Sequence, residues 1–270
     1  MPVADALAES ANLFSNRIAQ PLLVASAAMT WHAIRERVPV PSLVAGYSIG
    51  ELSAYAVAGS LAHEDAIALA ACRARFMDEC AGRSTQQQLM AVSGVSIPRL
   101  LQLLQPDRLF IAIETGEDSA IVGGEKTSAD MLGETLRAMG CRVQVLPVEV
   151  ASHTPYLHDA AARFLDELRR HRFAIPAFPV VSGLSGRFVV LPEEAQATLA
   201  AQIADRIRWK DCMDACAEAG ITIALELGPG NALSRMLRER HPQIECRSTD
   251  DFRTADGVAR WVGRHFDQAP

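Results

Sequence analysis

The chain has 270 residues, a formal net charge of −6 and 49% hydrophobic residues, which suits one large domain, or a main domain with a smaller insert, around a substantial core. The acidic balance argues against a general nucleic-acid binder, which needs a basic face. No apolar run approaches the roughly 18 residues of a membrane span, and no cationic-then-apolar leader opens the chain, so a cytoplasmic location is expected.

Residues 20–37 read as a helix, with Leu22, Ala25, Met29 and Ala33 spaced to share one apolar face and with Pro39 and Pro41 ending it. Residues 42–46 form a short apolar run between turn signals, which suits a buried parallel strand. Helices are predicted over 50–57 and 64–80. The region 85–149 changes character: strand 89–95, helix 98–105, strands 109–115 and 119–123, helix 128–139 and strand 141–148. That β-α-β-β-α-β order is the ferredoxin-like pattern, expected as an inserted small domain. Strand–helix alternation then resumes with helix 155–171, strand 178–182, helices 192–207 and 210–219, strand 221–227 and a helix after Gly230. The expected fold class is therefore α/β. The six cysteines are scattered without a CxxC pair and read as reduced core thiols rather than disulfides or zinc ligands.

Three features carry chemistry. Gly46-Tyr47-Ser48-Ile49-Gly50, after an apolar strand and before a helix, is the nucleophile-elbow arrangement. It predicts a strained Ser48 flanked by small residues, with the Ile49 N–H aimed at a developing oxyanion. A serine hydroxyl needs a base. His153, before Thr154 as N-cap and Pro155 as first helical residue, is the best placed, since a helix N-terminus favours neutral imidazole; His158 competes with it. Arg73 interrupts the apolar row Ala66, Leu69, Ala70, Phe76 and Met77, while Arg75 lies on another, solvated face. A buried guanidinium calls for an anion. That anion is either internal, Asp78 or Glu51, or a substrate carboxylate gripped bidentately.

The stretches Ile18-Ala19-Gln20-Pro21-Leu22-Leu23, Gly46-Tyr47-Ser48-Ile49-Gly50-Glu51, Arg73-Ala74-Arg75-Phe76-Met77, Ala151-Ser152-His153 and Glu226-Leu227-Gly228-Pro229-Gly230 together resemble the malonyl-CoA:acyl-carrier-protein transacylase family, in order and over nearly the whole chain. The resemblance implies an α/β-hydrolase-like parallel-sheet core (1–84 and 150–270) carrying a ferredoxin-like insert (85–149). It implies that Ser48 is acylated and His153 is its base. Arg73 would bind the malonyl carboxylate, and the main-chain carbonyl of Gln202 would orient the histidine. Ile49 would supply the oxyanion donor.

Two departures shape the expectation. Tyr47 stands where the common family turn has histidine; it is similar to the epsilon (transacylase) subunit of bacterial malonate decarboxylase and makes Tyr47 a candidate substrate contact. The Gln-Gly strand that normally opens the family does not precede residue 20, so a truncated start is expected. The implied reaction is ping-pong transfer of malonyl from malonyl-CoA, through malonyl-Ser48, to the phosphopantetheine-type thiol of an acyl carrier protein, expected to be the carrier subunit of malonate decarboxylase, with no bound cofactor and no metal. Arg169, Arg170, Arg172, Arg206, Arg208 and Lys210 are candidates for docking an acidic carrier. The rival readings are a fatty-acid or polyketide malonyl transacylase, a thioesterase or esterase, and a non-catalytic binding subunit.

Overall fold

The computed structural model describes residue 13 and residues 15–266. The stretch on which the missing Gln-Gly strand was expected lies outside the described residues. The first helix, α1 (Asn16–Ile34), starts earlier than predicted and ends before Pro39. Its predicted inner face is reversed: Leu22 and Met29 are 40% and 66% exposed, and the buried row is Gln20, Val24, Ala27, Ala28 and Ile34. The helix is apolar nearly all round, so periodicity does not choose a face; packing against α3 does.

β1 (Val44–Ala45), α2 (Gly50–Val57) and α3 (His63–Ala81) follow. α3 keeps the predicted stripe, with Ala66, Leu69, Ala70, Arg73, Phe76 and Met77 all buried.

The small sheet is built by β2 (Gln87–Ser93), α4 (Ile97–Leu103), β3 (Leu109–Glu114), β4 (Ser119–Glu125), α5 (Lys126–Ala138) and β5 (Arg142–Val145). These strands pair antiparallel in the order β5-β2-β4-β3. Their buried apolar faces close over α4 and α5 through Met90, Val92, Leu100, Ile111, Val122, Leu132 and Leu136.

After a 3-10 turn (Pro155–Leu157) come α6 (His158–Leu168), β6 (Val180–Val181), β7 (Phe188–Val189) and α7 (Pro192–Ala201). The predicted helix 192–207 stops at Ala201. A turn over 202–205 replaces its end, and β8 (Ile207–Arg208) joins the small sheet parallel to β3. That turn is used: the Ile203 carbonyl accepts the His153 N–H at 2.8 Å. The chain continues through α8 (Trp209–Glu218), β9 (Ile223–Glu226), α9 (Ala232–Arg240), β10 (Glu245–Ser248) and α10 (Ala255–Phe266).

Parallel pairing occurs as separate short ladders, β1 with β6 and β9 with β10, while β7 lies antiparallel to β6. The main core packs α1, α2, α3, α6 and α7 together, with Leu52, Tyr55, Leu69, Phe164 and Leu199 essentially inaccessible. Among the described residues no helix is long and apolar enough to cross a membrane, and all six cysteines are unbridged.

Candidate active site

Ser48 lies in the tight turn between β1 and α2 with φ 53°, a left-handed conformation that is strained for a residue with a Cβ. The turn needs a small residue on one side only. A Cβ on Gly46 would stand 2.3 Å from the Glu51 nitrogen and the Gly50 carbonyl carbon, whereas one on Gly50 meets nothing within 4 Å. The expectation that both flanking glycines are sterically required is thus corrected to Gly46 alone. Ser48 and Ile49 are half-buried, and among the described residues the Ile49 N–H has no hydrogen-bond acceptor. A developing oxyanion can take it.

His153 reaches Ser48 from the loop after β5. It too has a left-handed backbone, φ 63°, and Nε2 lies 2.8 Å from Ser48 Oγ. Its Nδ1 meets the main-chain carbonyl of Gln202. A carbonyl only accepts, so Nδ1 carries the hydrogen and Nε2 is left to accept the serine proton. The loop is clamped from both sides, with the Ala151 N–H donating to Gln87 Oε1 at 2.8 Å and the His153 N–H donating to the Ile203 carbonyl.

Thr154 does not cap the following turn with its side chain. Its hydroxyl instead donates to the Ala151 carbonyl at 2.6 Å. Burial, and next the charge of Arg73, push the His153 pKa down to about 3. The imidazole is neutral for the reason of burial, not of a helix end. His158 is exposed at the start of α6 and is no competitor.

Arg73 is 2% exposed. Nη1 donates to Gln20 Oε1 at 2.7 Å and Nη2 to Ser48 Oγ at 3.4 Å. Neither expected internal partner pairs with it. Asp78 is taken by Asn16 at 2.9 Å and Arg17 at 3.2 Å, and Glu51 acts on Arg73 only from beyond ion-pair distance. Burial lowers the guanidinium pKa to about 10, with Glu51 opposing. Gln20, which sequence reasoning did not single out, holds this guanidinium; its signal was a polar residue in a long apolar stretch.

Tyr47 packs edge-on against Trp209, ring centroids 5.2 Å apart, and burial raises its phenol pKa. The candidate docking cations are mostly committed. Arg169, Arg170, Arg206, Arg208 and Lys210 pair with Asp166, Glu167, Glu114, Asp211 and Glu117, and only Arg172 has no ion pair among the described residues. Glu226 of the Glu226–Gly230 string caps α9, accepting the N–H groups of Leu233 at 3.2 Å and Ser234 at 2.7 Å.

A serine hydroxyl, a neutral imidazole whose Nε2 can accept its proton, an N–H without an acceptor among the described residues and a buried cation thus converge on one turn, a constellation suited to acyl transfer. A sequence profile described as an acyl transferase domain matches residues 1–255. The malonyl CoA-acyl carrier protein transacylase of Mycobacterium tuberculosis is 28% identical over 256 residues, 93% of this chain and 84% of that protein. Polyketide synthase GfsB of Streptomyces halstedii is 31% identical over 198 residues; the match covers 73% of this chain but 4% of that much longer protein. Among solved structures, a malonyl-transacylase in complex with its type II polyketide acyl-carrier protein superposes with a TM-score of 0.87 at 25% identity, over 93% of this chain and 82% of that one.

Proposed function

Since the chain belongs to the acyl transferase domain family, we propose that it moves a malonyl group from malonyl-CoA to the phosphopantetheine-type thiol of an acyl carrier protein. One observation carries this reading: Arg73 is buried beside the nucleophile without a carboxylate in ion-pair range. Burying a lone charge is costly, and a substrate carboxylate would supply the missing anion through the parallel N–H pair of the guanidinium.

The steps follow from the atoms present. His153 Nε2 takes the Ser48 proton as Oγ attacks the thioester carbonyl. The oxyanion rests on the Ile49 N–H. Collapse breaks the C–S bond, and the proton on Nε2 goes to the departing CoA thiolate. The carrier thiol then gives its proton to His153, attacks the malonyl-serine ester, and Ser48 Oγ leaves with that proton. The reading calls for no metal or cofactor. Tyr47 would border the acyl group.

The relatives' names, a polyketide synthase and a malonyl CoA-acyl carrier protein transacylase, speak for an acyl carrier protein, which we read as one of fatty-acid or polyketide synthesis. A second reading, the carrier subunit of malonate decarboxylase, is favoured by Tyr47 before Ser48. The β5-β2-β4-β3 order supports a ferredoxin-like insert over 85–149, and the parallel pairing of β1 with β6 and of β9 with β10 is the support for an α/β-hydrolase-like core over 1–84 and 150–270. The unbridged cysteines support a cytoplasmic setting.

Arg73→Ala tests the reading. Transfer of malonyl should fall by roughly 100-fold or more, the scale of a lost charge-assisted pair, with acetyl transfer kept or raised. Equal loss of both acyl groups would refute a carboxylate role.

A further inference from the structure

Glu51 is 1% exposed in the first turn of α2, and the reaction steps above do not use it. Its Oε2 accepts two N–H groups from separate parts of the chain: the main-chain N–H of Gly183 at 3.0 Å and the side-chain Nε2 of Gln202 at 3.0 Å. Gly183 closes the cradle. A Cβ there would stand 2.9 Å from that same Oε2, and its carbonyl is held by the Arg208 N–H at 2.7 Å. Gln202 therefore works at both ends: its side-chain amide is tied to Glu51, and its main-chain carbonyl receives His153 Nδ1–H.

We propose that Glu51 is a positioning residue for acyl transfer: by gripping the Gln202 amide it fixes the Gln202 carbonyl against His153, and so fixes the tautomer and aim of the imidazole. This rests on the Ser48–His153 reading. A carboxyl retained only for packing would be poorly chosen, since Glu51 Oε1 is buried with no partner and an apolar side chain of similar volume would avoid that loss. Burial raises the Glu51 pKa to about 8, against the Gly183 bond and the charge of Arg73. Burial thus favours the uncharged acid near neutral pH, and Oε2 accepts the Gly183 and Gln202 N–H groups in either state. Glutamine copies that shape and that acceptor; alanine copies neither.

The test compares Glu51→Ala, Glu51→Gln and Gln202→Ala with the wild-type chain, using malonyl-CoA and a phosphopantetheinylated acyl carrier protein. Glu51→Ala is expected to lower kcat about 10- to 100-fold, as for other groups that orient a base, with KM for malonyl-CoA within about two-fold. Glu51→Gln should retain most of kcat. Gln202→Ala keeps the main-chain carbonyl, loses only the anchor, and should match Glu51→Ala; the double variant should be no worse than either.

A direct reading comes from the downfield proton resonance of His153 Nδ1–H, assigned by its loss in His153→Ala. It should persist in Glu51→Gln and shift or broaden in the alanine variants. Unchanged kcat and resonance in folded Glu51→Ala overturn the proposal, as does equal loss in Glu51→Ala and Glu51→Gln. If Glu51→Ala does not fold, Gln202→Ala decides by the same two readouts. Failure of the wild-type chain to form malonyl-Ser48 would instead refute the underlying function, while the resonance still reports on Glu51.

Discussion

Around Asp214 each charge has an opposite within reach. Arg240 closes on it with Nε at 2.5 Å and Nη2 at 2.7 Å, His241 Nε2 lies at 2.8 Å and Lys210 at 3.4 Å. Glu117, from the turn between β3 and β4, answers both Lys210 and Arg240. Around Arg73 the reverse holds: a fully buried guanidinium has a neutral amide and a serine hydroxyl, and no carboxylate in range. The first cluster is complete without any ligand and ties the small sheet to α8 and α9. The second is left one anion short, beside the Ser48 hydroxyl. Charge that is satisfied internally holds the fold; the charge left unsatisfied on α3 beside the strained turn is the one that, on the proposed function, a substrate carboxylate would meet.

The sharpest way to separate the two clusters is to remove the base. His153→Ala should slow acylation of Ser48 by about 10³-fold or more, the scale of losing a triad base, while thermal melting moves little. A rate close to wild type would place the chemistry elsewhere.

A second test uses pH. His153 is held down to about 3 mainly by burial, so the folded chain keeps it neutral where an ordinary imidazole, near pKa 6.5, takes a proton. The kcat/KM for malonyl-CoA should therefore stay level from about pH 7 down to about pH 5. An acid limb near 6.5 would show an imidazole in contact with water.

The smallest effect belongs to the paired cluster. Burial opposes ionisation of Asp214, but its bonds to Arg240 and His241 prevail and pull its pKa to about 2. A depressed carboxylate pKa contributes stability at pH above the ordinary carboxylate value, and that stability is lost as pH falls towards about 2. Asp214→Asn should thus lower Tm at pH 7 by a few degrees, on the order of 1–2 kcal/mol for a partly exposed network, with kcat within about two-fold. The gap between variant and wild type should shrink as pH falls below about 4 and close at about pH 2. A kcat loss matching that of His153→Ala would erase the distinction between the clusters.

Much of this was legible in the chain. Ser48 stood out because two glycines framed it between an apolar run and a helix, and Arg73 because a lone cation broke a row of small and apolar residues. The structure brings both to His153 and to the Gln202 carbonyl. What escaped has physical reasons. The inner face of α1 could not be read because nearly every side of that helix is apolar. β7 and β8 are two residues each, too short for a period of two to register. Of the ion pairs on the expected docking cations, Arg169, Arg170 and Arg208 find carboxylates three residues away, whereas Glu114 of β3 with Arg206 and Glu117 with Lys210 come from distant elements that no local pattern shows. Glu51 acts through partners far along the chain, which no local pattern encodes, and Gln20 showed itself only as a polar residue in an apolar stretch, its partner Arg73 being distant. Gly50 read as sterically required only because a motif was taken as a unit; the turn itself crowds Gly46.

The central claim is that Ser48 carries the acyl group and that Arg73 chooses it. Mass spectrometry of the chain after incubation with malonyl-CoA, without a carrier, tests it most directly. The account predicts a malonyl adduct on the peptide bearing Ser48, absent in Ser48→Ala and discharged when a carrier thiol is added. No adduct, or one on a residue other than Ser48, would contradict it.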